Sequence, residues 1–183
     1  MREELLEIIR KESLQFGEFI LASGKKSNYY IDIRKTSLHP KGLKLISHLI
    51  YSMIKDLEID SIGGPTIGAD PIVAGVTMLS ADTKKPIGGF LIRKDKKLHG
   101  TGKKIEGCFY KGIKVVIVED VVTSGGSTLN AIRSVEEEGG KVEIVIAVVD
   151  RMQGGKENIE REGYRFFSLF TSDEILGNSL STK

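Results

Sequence analysis

Cysteine is nearly missing: Cys108 is the only one in 183 residues, which excludes an intramolecular disulfide and suits a reducing cytosol. Long hydrophobic runs are missing too. No stretch approaches the ~20 apolar residues of a membrane span. The opening Met1-Arg-Glu-Glu-Leu-Leu is amphipathic and acidic, without the apolar run of a signal peptide. Nor is there much charge of one sign: 27 Lys+Arg against 25 Asp+Glu leave a formal net charge of +2. Such a balance demands neither nucleic acid nor a membrane surface as partner. Internal repeats, low-complexity tracts and dividing linkers are also absent. One domain spanning 1–183 is therefore expected, in the cytoplasm. Two phosphate-binding patterns do not occur, Gly-x-x-x-x-Gly-Lys-Ser/Thr and a Gly-x-Gly-x-x-Gly between strand and helix, so kinase and dehydrogenase readings fall away. Cys108 itself, in Glu106-Gly-Cys-Phe-Tyr110 with no nearby histidine, reads as a small half-buried hydrophobe.

What is present alternates between two periods. Leu5, Leu6, Ile9 and Leu14 recur at helical spacing, and Tyr29–Ile33 reads as a short strand. Pro40 to Leu57 carries a helical stripe of Leu43, Ile46, Leu49, Ile50, Met53 and Ile54, opened by proline in its first turn. Beyond it, strands are expected at Ile59–Gly63, Pro86–Ile92, Gly112–Glu119, Lys141–Val149 and Tyr164–Phe170. Helices are expected at Asp70–Ser80 and Ser127–Glu138. Continuous β-branched runs suit strands buried on both faces, so the expected fold is α/β, a parallel sheet flanked by helices. Residues 1–38 are expected to pack as a small hood.

The most informative stretch is Val115-Val-Ile-Val-Glu-Asp-Val-Val-Thr-Ser-Gly-Gly-Ser-Thr-Leu129. An apolar strand runs into two adjacent acids, Glu119 and Asp120, then a loop of small hydroxyl and glycine residues, then a helix. In open α/β sheets, ligands sit at the carboxyl ends of strands. Backbone N–H groups of Thr123, Ser124, Gly125, Gly126 and Ser127, with the helix N-terminus, would form an anion nest. The acids repel phosphate, so their partners would be sugar hydroxyls, a Mg²⁺ ion or a developing cation. Carboxylates beside a phosphate nest suit a sugar phosphate.

The segment Val116–Ser127 resembles the signature that binds 5-phosphoribosyl-1-pyrophosphate (PRPP) in type I phosphoribosyltransferases. The resemblance implies that Glu119 and Asp120 contact the ribose hydroxyls. It also implies that the loop, with Val121 and Val122 leading into Thr123–Ser127, holds the 5′-phosphate. A second segment, Arg93-Lys-Asp-Lys-Lys-Leu-His-Gly-Thr-Gly-Lys-Lys-Ile-Glu-Gly107, is basic and glycine-containing. Cations brought to a departing pyrophosphate stabilise the transition state more than the ground state, and a glycine-flanked loop can close over a site. Arg93, Lys94, Lys97 and His99 match the spacing of the catalytic loop in orotate phosphoribosyltransferases. In that subfamily the loop enters the neighbouring subunit's site, which implies a homodimer. His39 and His48 lie in or beside a helix and read as structural.

Phe16–Asp32 resembles the subfamily's orotate-side segment, with Tyr30 (or Tyr29) lining the base pocket and Thr123 also on the base side. Gly63–Pro71 resembles its pyrophosphate-binding loop. Asp150-Arg151 matches the arginine that grips the orotate carboxylate, a bidentate task suited to a planar guanidinium. The sequence departs from the pattern at Ala22 and Gly68, where many relatives carry phosphate-contacting lysines, and at Ser27-Asn28 in place of Ser-Pro. The implied reaction joins orotate to PRPP, giving orotidine 5′-phosphate and pyrophosphate. Mg²⁺ would be held mainly by PRPP, with no direct protein ligand. Arg93, Lys97, His99, Glu119 and Asp120 would carry catalysis. Two rivals stand beside it, a purine phosphoribosyltransferase and a non-catalytic PRPP-sensing regulator.

Overall fold

The computed structural model describes residues 1–20, 26–94 and 104–177. Helix α1 (Arg2–Ile8) widens into a π-helical turn over Ile9–Ser13. Strands β1 (Leu14–Ile20) and β2 (Lys26–Ile31) then pair antiparallel as a separate two-stranded ribbon. Asp32 ends β2: its carboxylate accepts from the Arg34 N–H at 3.2 Å and caps the short α2 (Ile33–Ser37). The strand expected at Tyr29–Ile33 therefore begins earlier and stops two residues sooner, because an N-cap aspartate turns the chain into a helix. Helix α3 (Pro40–Ile54) has proline in its first turn, and His39 Nδ1 accepts from the Gly42 N–H at 3.2 Å. His39 is thus a structural cap.

The remaining elements are β3 (Ser61–Pro65), α4 (Asp70–Ser80), β4 (Gly88–Ile92), β5 (Ile105–Gly107), β6 (Lys114–Val122), α5 (Gly126–Glu137), β7 (Lys141–Asp150), α6 (Gly155–Arg161), β8 (Phe166–Thr171) and α7 (Ser172–Leu176). They build a six-stranded sheet in the order β5-β4-β3-β6-β7-β8. All neighbours run parallel except β5, which lies antiparallel on the β4 edge. Side chains of β6 alternate between two cores. Val116 and Val118 pack with Ile46, Ile50 and Ile72 of α3 and α4, whereas Val115 and Ile117 pack with Ile132 and Val135 of α5 and Ile159 of α6. Burial on both faces explains why the strand reads as an unbroken apolar run. Cys108, expected to be half-buried, is instead exposed just beyond the β5 edge strand.

The connection from β3 leads to β4 on one side, while β6 starts on the other side of β3. The chain direction across the sheet reverses there. Splayed connections at such a point leave a crevice outside the carboxyl ends of the two strands. The acidic end of β6 opens into it.

Candidate active site

The crevice is a cavity of about 850 Å³, walled by Tyr30, Ile31, Asp32 and Arg34, by Pro65 to Gly68, by the end of β6 and the start of α5, and by Arg151. Glu119 occupies its floor at 6 % exposure. Its Oε2 accepts from Ser127 Oγ and Thr128 Oγ1, both at 3.2 Å, so the first turn of α5 clamps the carboxyl end of β6. Burial, and then the like charge of Asp120, push the Glu119 carboxyl up to about 8. Asp120 is also raised by burial, with the Val121 N–H on its Oδ1 at 2.9 Å and the Arg34 charge opposing the rise.

The loop between them and α5 is rigid for a visible reason. Gly125 caps α5 at φ 81°, a left-handed backbone that glycine adopts without strain. A Cβ at that position would lie 3.1 Å from the Gly155 carbonyl oxygen. The Ser124 carbonyl accepts from Asn158 Nδ2 at 2.9 Å, so α6 buttresses the turn from behind. First-turn N–H groups of α5 have no helical acceptor, which makes this end an anion site in the making. Thr66, Ile67 and Gly68 form the facing wall. Gly68 touches the acid pair so closely that a Cβ there would sit 2.4 Å from Asp120 Cγ.

Arg151 closes the opposite end. It follows β7, whose last residue Asp150 turns its Oδ1 to the Met152 N–H at 2.8 Å and so is not aimed at the arginine. The Arg151 backbone is pinned, its N–H donating to Val122 O at 2.9 Å and its carbonyl accepting from Ser172 Oγ at 3.1 Å. The side chain is 4 % exposed, with its guanidinium 4.7 Å over the Tyr29 ring. Its Nε and Nη2 are buried and have no hydrogen-bond partner among the described residues. A buried guanidinium lacking an acceptor is costly, and an incoming carboxylate would remove that cost.

The structure brings together most of the residues singled out from sequence. Tyr30, Arg93, Lys94, Glu119, Asp120, Val121, Thr123, Ser127 and Arg151 all line the cavity. Tyr30 packs on Phe19 at 5.6 Å between ring centroids, while Tyr29 supports Arg151 rather than facing the cavity. Ser124, Gly125 and Gly126 shape the turn. Val122 faces away, buried in the core on the α5 side. Ser127, whose N–H belongs to the expected anion nest, gives its hydroxyl to Glu119. Lys97, His99 and Ala22 lie outside the described residues. Missed from sequence were Asp32, Arg34 and Lys104, all in the cavity wall. An Asp-x-Arg directly after the tyrosines was the available signal for the first two.

The family model for the phosphoribosyl transferase domain matches residues 38–169. Orotate phosphoribosyltransferase of Pyrococcus horikoshii is 47 % identical over 178 residues, covering 96 % of this chain and 93 % of that protein. That of Methanocaldococcus jannaschii is 43 % identical over 175 residues, 95 % and 96 % of the two chains. The crystal structure of Mycobacterium tuberculosis orotate phosphoribosyltransferase in complex with PRPP superposes with a TM-score of 0.79 at 35 % identity, over 95 % of this chain and 98 % of that one. Adenine phosphoribosyltransferase of Thermoanaerobacter pseudethanolicus shares the fold, with a TM-score of 0.69 at 21 % identity over 91 % of this chain and 99 % of that one.

Proposed function

This chain belongs to the phosphoribosyltransferase family, and from that premise we propose that it transfers the 5-phosphoribosyl group of PRPP to orotate, giving orotidine 5′-phosphate and pyrophosphate. It is an orotate phosphoribosyltransferase, an enzyme of pyrimidine synthesis. The observation that carries the choice of base is Arg151. An adenine enzyme has the same fold, so the fold alone selects no base. A nearly buried guanidinium with Nε and Nη2 unpaired at the cavity wall asks for a carboxylate, which orotate has and purines lack. A purely sensory protein would have no use for a base-side cation opposite its phosphate loop.

In the reaction, the bond from the anomeric carbon to the pyrophosphate oxygen breaks, and a ring nitrogen of orotate bonds to that carbon. The anomeric carbon gains oxocarbenium character on the way, as in glycoside chemistry. Glu119 and Asp120 accept hydrogen bonds from the ribose 2′- and 3′-hydroxyls. The amides of Thr123 to Ser127 take the 5′-phosphate at the N-terminus of α5. Tyr30 and Thr123 flank the base, and Arg151 fixes its carboxylate, so that nitrogen and carbon meet in line. Arg93 and Lys94, with Lys97 and His99 beyond the described residues, stabilise the charge that grows on pyrophosphate. In a homodimer these last residues serve the partner's cavity, and residues 1–38 form the hood over the base.

With Glu119 and Asp120 engaged by the ribose hydroxyls, Mg²⁺ would be held mainly by the oxygens of PRPP, with no direct protein ligand. Bound there, Mg²⁺ would offset negative charge on the leaving group. The test is a base panel: purified protein with PRPP and Mg²⁺ is offered orotate, uracil, adenine, guanine and xanthine. Orotidine 5′-phosphate should form at least 100-fold faster than any other nucleotide. Equal use of uracil, or preference for a purine, would refute the assignment to Arg151.

A further inference from the structure

The wall made by Thr66, Ile67 and Gly68 carries no cation, although by the reading above it faces the pyrophosphate of PRPP. Lysine cannot be added there without displacing the acid pair. A Cβ at Gly68 already falls 2.4 Å from Asp120 Cγ and 2.5 Å from each carboxylate oxygen. Asp120 therefore lies against the same wall, and a multiply charged leaving group entering beside it meets like charge. Some cation must offset both.

Arg34 is placed to do so. Its Nε donates to Asp32 Oδ1 at 2.8 Å and its Nη2 to Asp32 Oδ2 at 3.0 Å, a fork-on-carboxylate geometry that fixes the guanidinium plane. The Asp32 carboxylate is itself held in place by capping α2. Nη1 takes no acceptor among the described residues, and the side chain lines the cavity at 46 % exposure. Arg34 is also the cation that opposes the rise of Asp120, so its charge reaches that carboxylate. Two nitrogens of the guanidinium are thus spent on orientation, and the side chain lines the substrate-sized cavity that Glu119 and Asp120 also line.

We propose that Arg34, held in place by Asp32, is a pyrophosphate-binding residue of this enzyme, contributing from the N-terminal segment the positive charge that the Gly68 wall lacks. The proposal rests on the phosphoribosyl-transfer reading. Its test separates the two halves of PRPP. Calorimetric titrations with Mg²⁺-pyrophosphate and, separately, with ribose 5-phosphate are run on the wild type, Arg34→Ala and Arg34→Lys. Pyrophosphate should bind Arg34→Ala roughly 10- to 100-fold more weakly, the scale of a lost charge-assisted hydrogen bond. Ribose 5-phosphate should stay within about twofold. Lysine, which keeps charge but loses the fork, should fall between wild type and alanine. Unchanged pyrophosphate affinity in the alanine variant overturns the proposal. So do equal losses for both ligands, which would make Arg34 a support for the acid pair alone, and a lysine variant no better than alanine. A thermal melt within a few degrees of wild type confirms folding, as expected for a partly exposed pair. Wild-type protein that makes no orotidine 5′-phosphate would sink the parent reading; normal turnover with a pyrophosphate-indifferent Arg34→Ala sinks only this one.

Discussion

Arg151→Met separates function from stability in opposite directions. Orotate should lose the charge-assisted pair with the guanidinium, a truncation worth about 2–5 kcal/mol, or roughly 30- to several-thousand-fold in kcat/KM. The unliganded protein should gain. Nε and Nη2 of Arg151 are buried without acceptors at 4 % residue exposure, and each such donor costs about 1–3 kcal/mol. The cation–π contact with Tyr29 at 4.7 Å offsets about 1–2 kcal/mol of this. Methionine fills similar space without the donors, so the low end of each range gives a net gain of about 1 kcal/mol, a melting temperature higher by roughly 2–4 °C for a chain of this size. The assay is calorimetric melting with and without orotidine 5′-phosphate, beside steady-state kinetics with orotate varied. Orotidine 5′-phosphate should stabilise the wild type more than the variant. A variant that melts several degrees lower and uses orotate unimpaired would refute both halves of the reasoning.

Gly68→Ala should leave the melting temperature nearly unchanged, because the atoms in its way belong to the Asp120 side chain, yet raise KM for PRPP at least tenfold by moving that carboxylate. Gly125→Ala should destabilise by about 1–3 kcal/mol in denaturant titration, since φ 81° and the Gly155 carbonyl at 3.1 Å both exclude a Cβ. Glu119, raised to about 8 from 4.5, holds a proton in the folded state that the unfolded chain has released between those values. Unfolding free energy should therefore decline as pH rises from about 4.5 to about 8, and Glu119→Gln should flatten that decline in melts across the range. Hydroxyl donors favour the Glu119 carboxylate, so PRPP binding should release a proton near pH 7. Calorimetry in buffers of different ionisation enthalpy reads this release, and Glu119→Gln should abolish it.

Much of this site is legible in the chain because its signals are local. The Glu119–Ser127 stretch carries its own strand, turn and helix start, and Arg151 sits directly after an apolar run. What escaped depends on contacts between distant segments. Asp32 and Arg34 stand beside Asp120 only after the β1–β2 ribbon has packed near the carboxyl end of β6. The strand β1 was hidden because Phe16 and Ile20 are exposed and Gly17 interrupts the alternation, so no buried face is written into it. Helix α7 had a readable start, Thr171-Ser-Asp-Glu174, a capping box that the structure forms from both sides. It was overlooked because only five residues follow the cap. Cys108 differs from its expectation for another reason: it follows a three-residue edge strand, so its side chain is exposed even though its N–H still donates to the Gly89 carbonyl at 2.8 Å.

The central claim is that the turn after β6 holds a phosphorylated ribose, its acids on the hydroxyls and its amides on the phosphate. Titrating PRPP with Mg²⁺ into wild type and into the Glu119→Gln, Asp120→Asn double variant measures it directly. Binding should be saturable in the wild type and at least 100-fold weaker in the double variant, whose cooperative melt confirms that it is folded. Undiminished binding by the double variant would contradict the account.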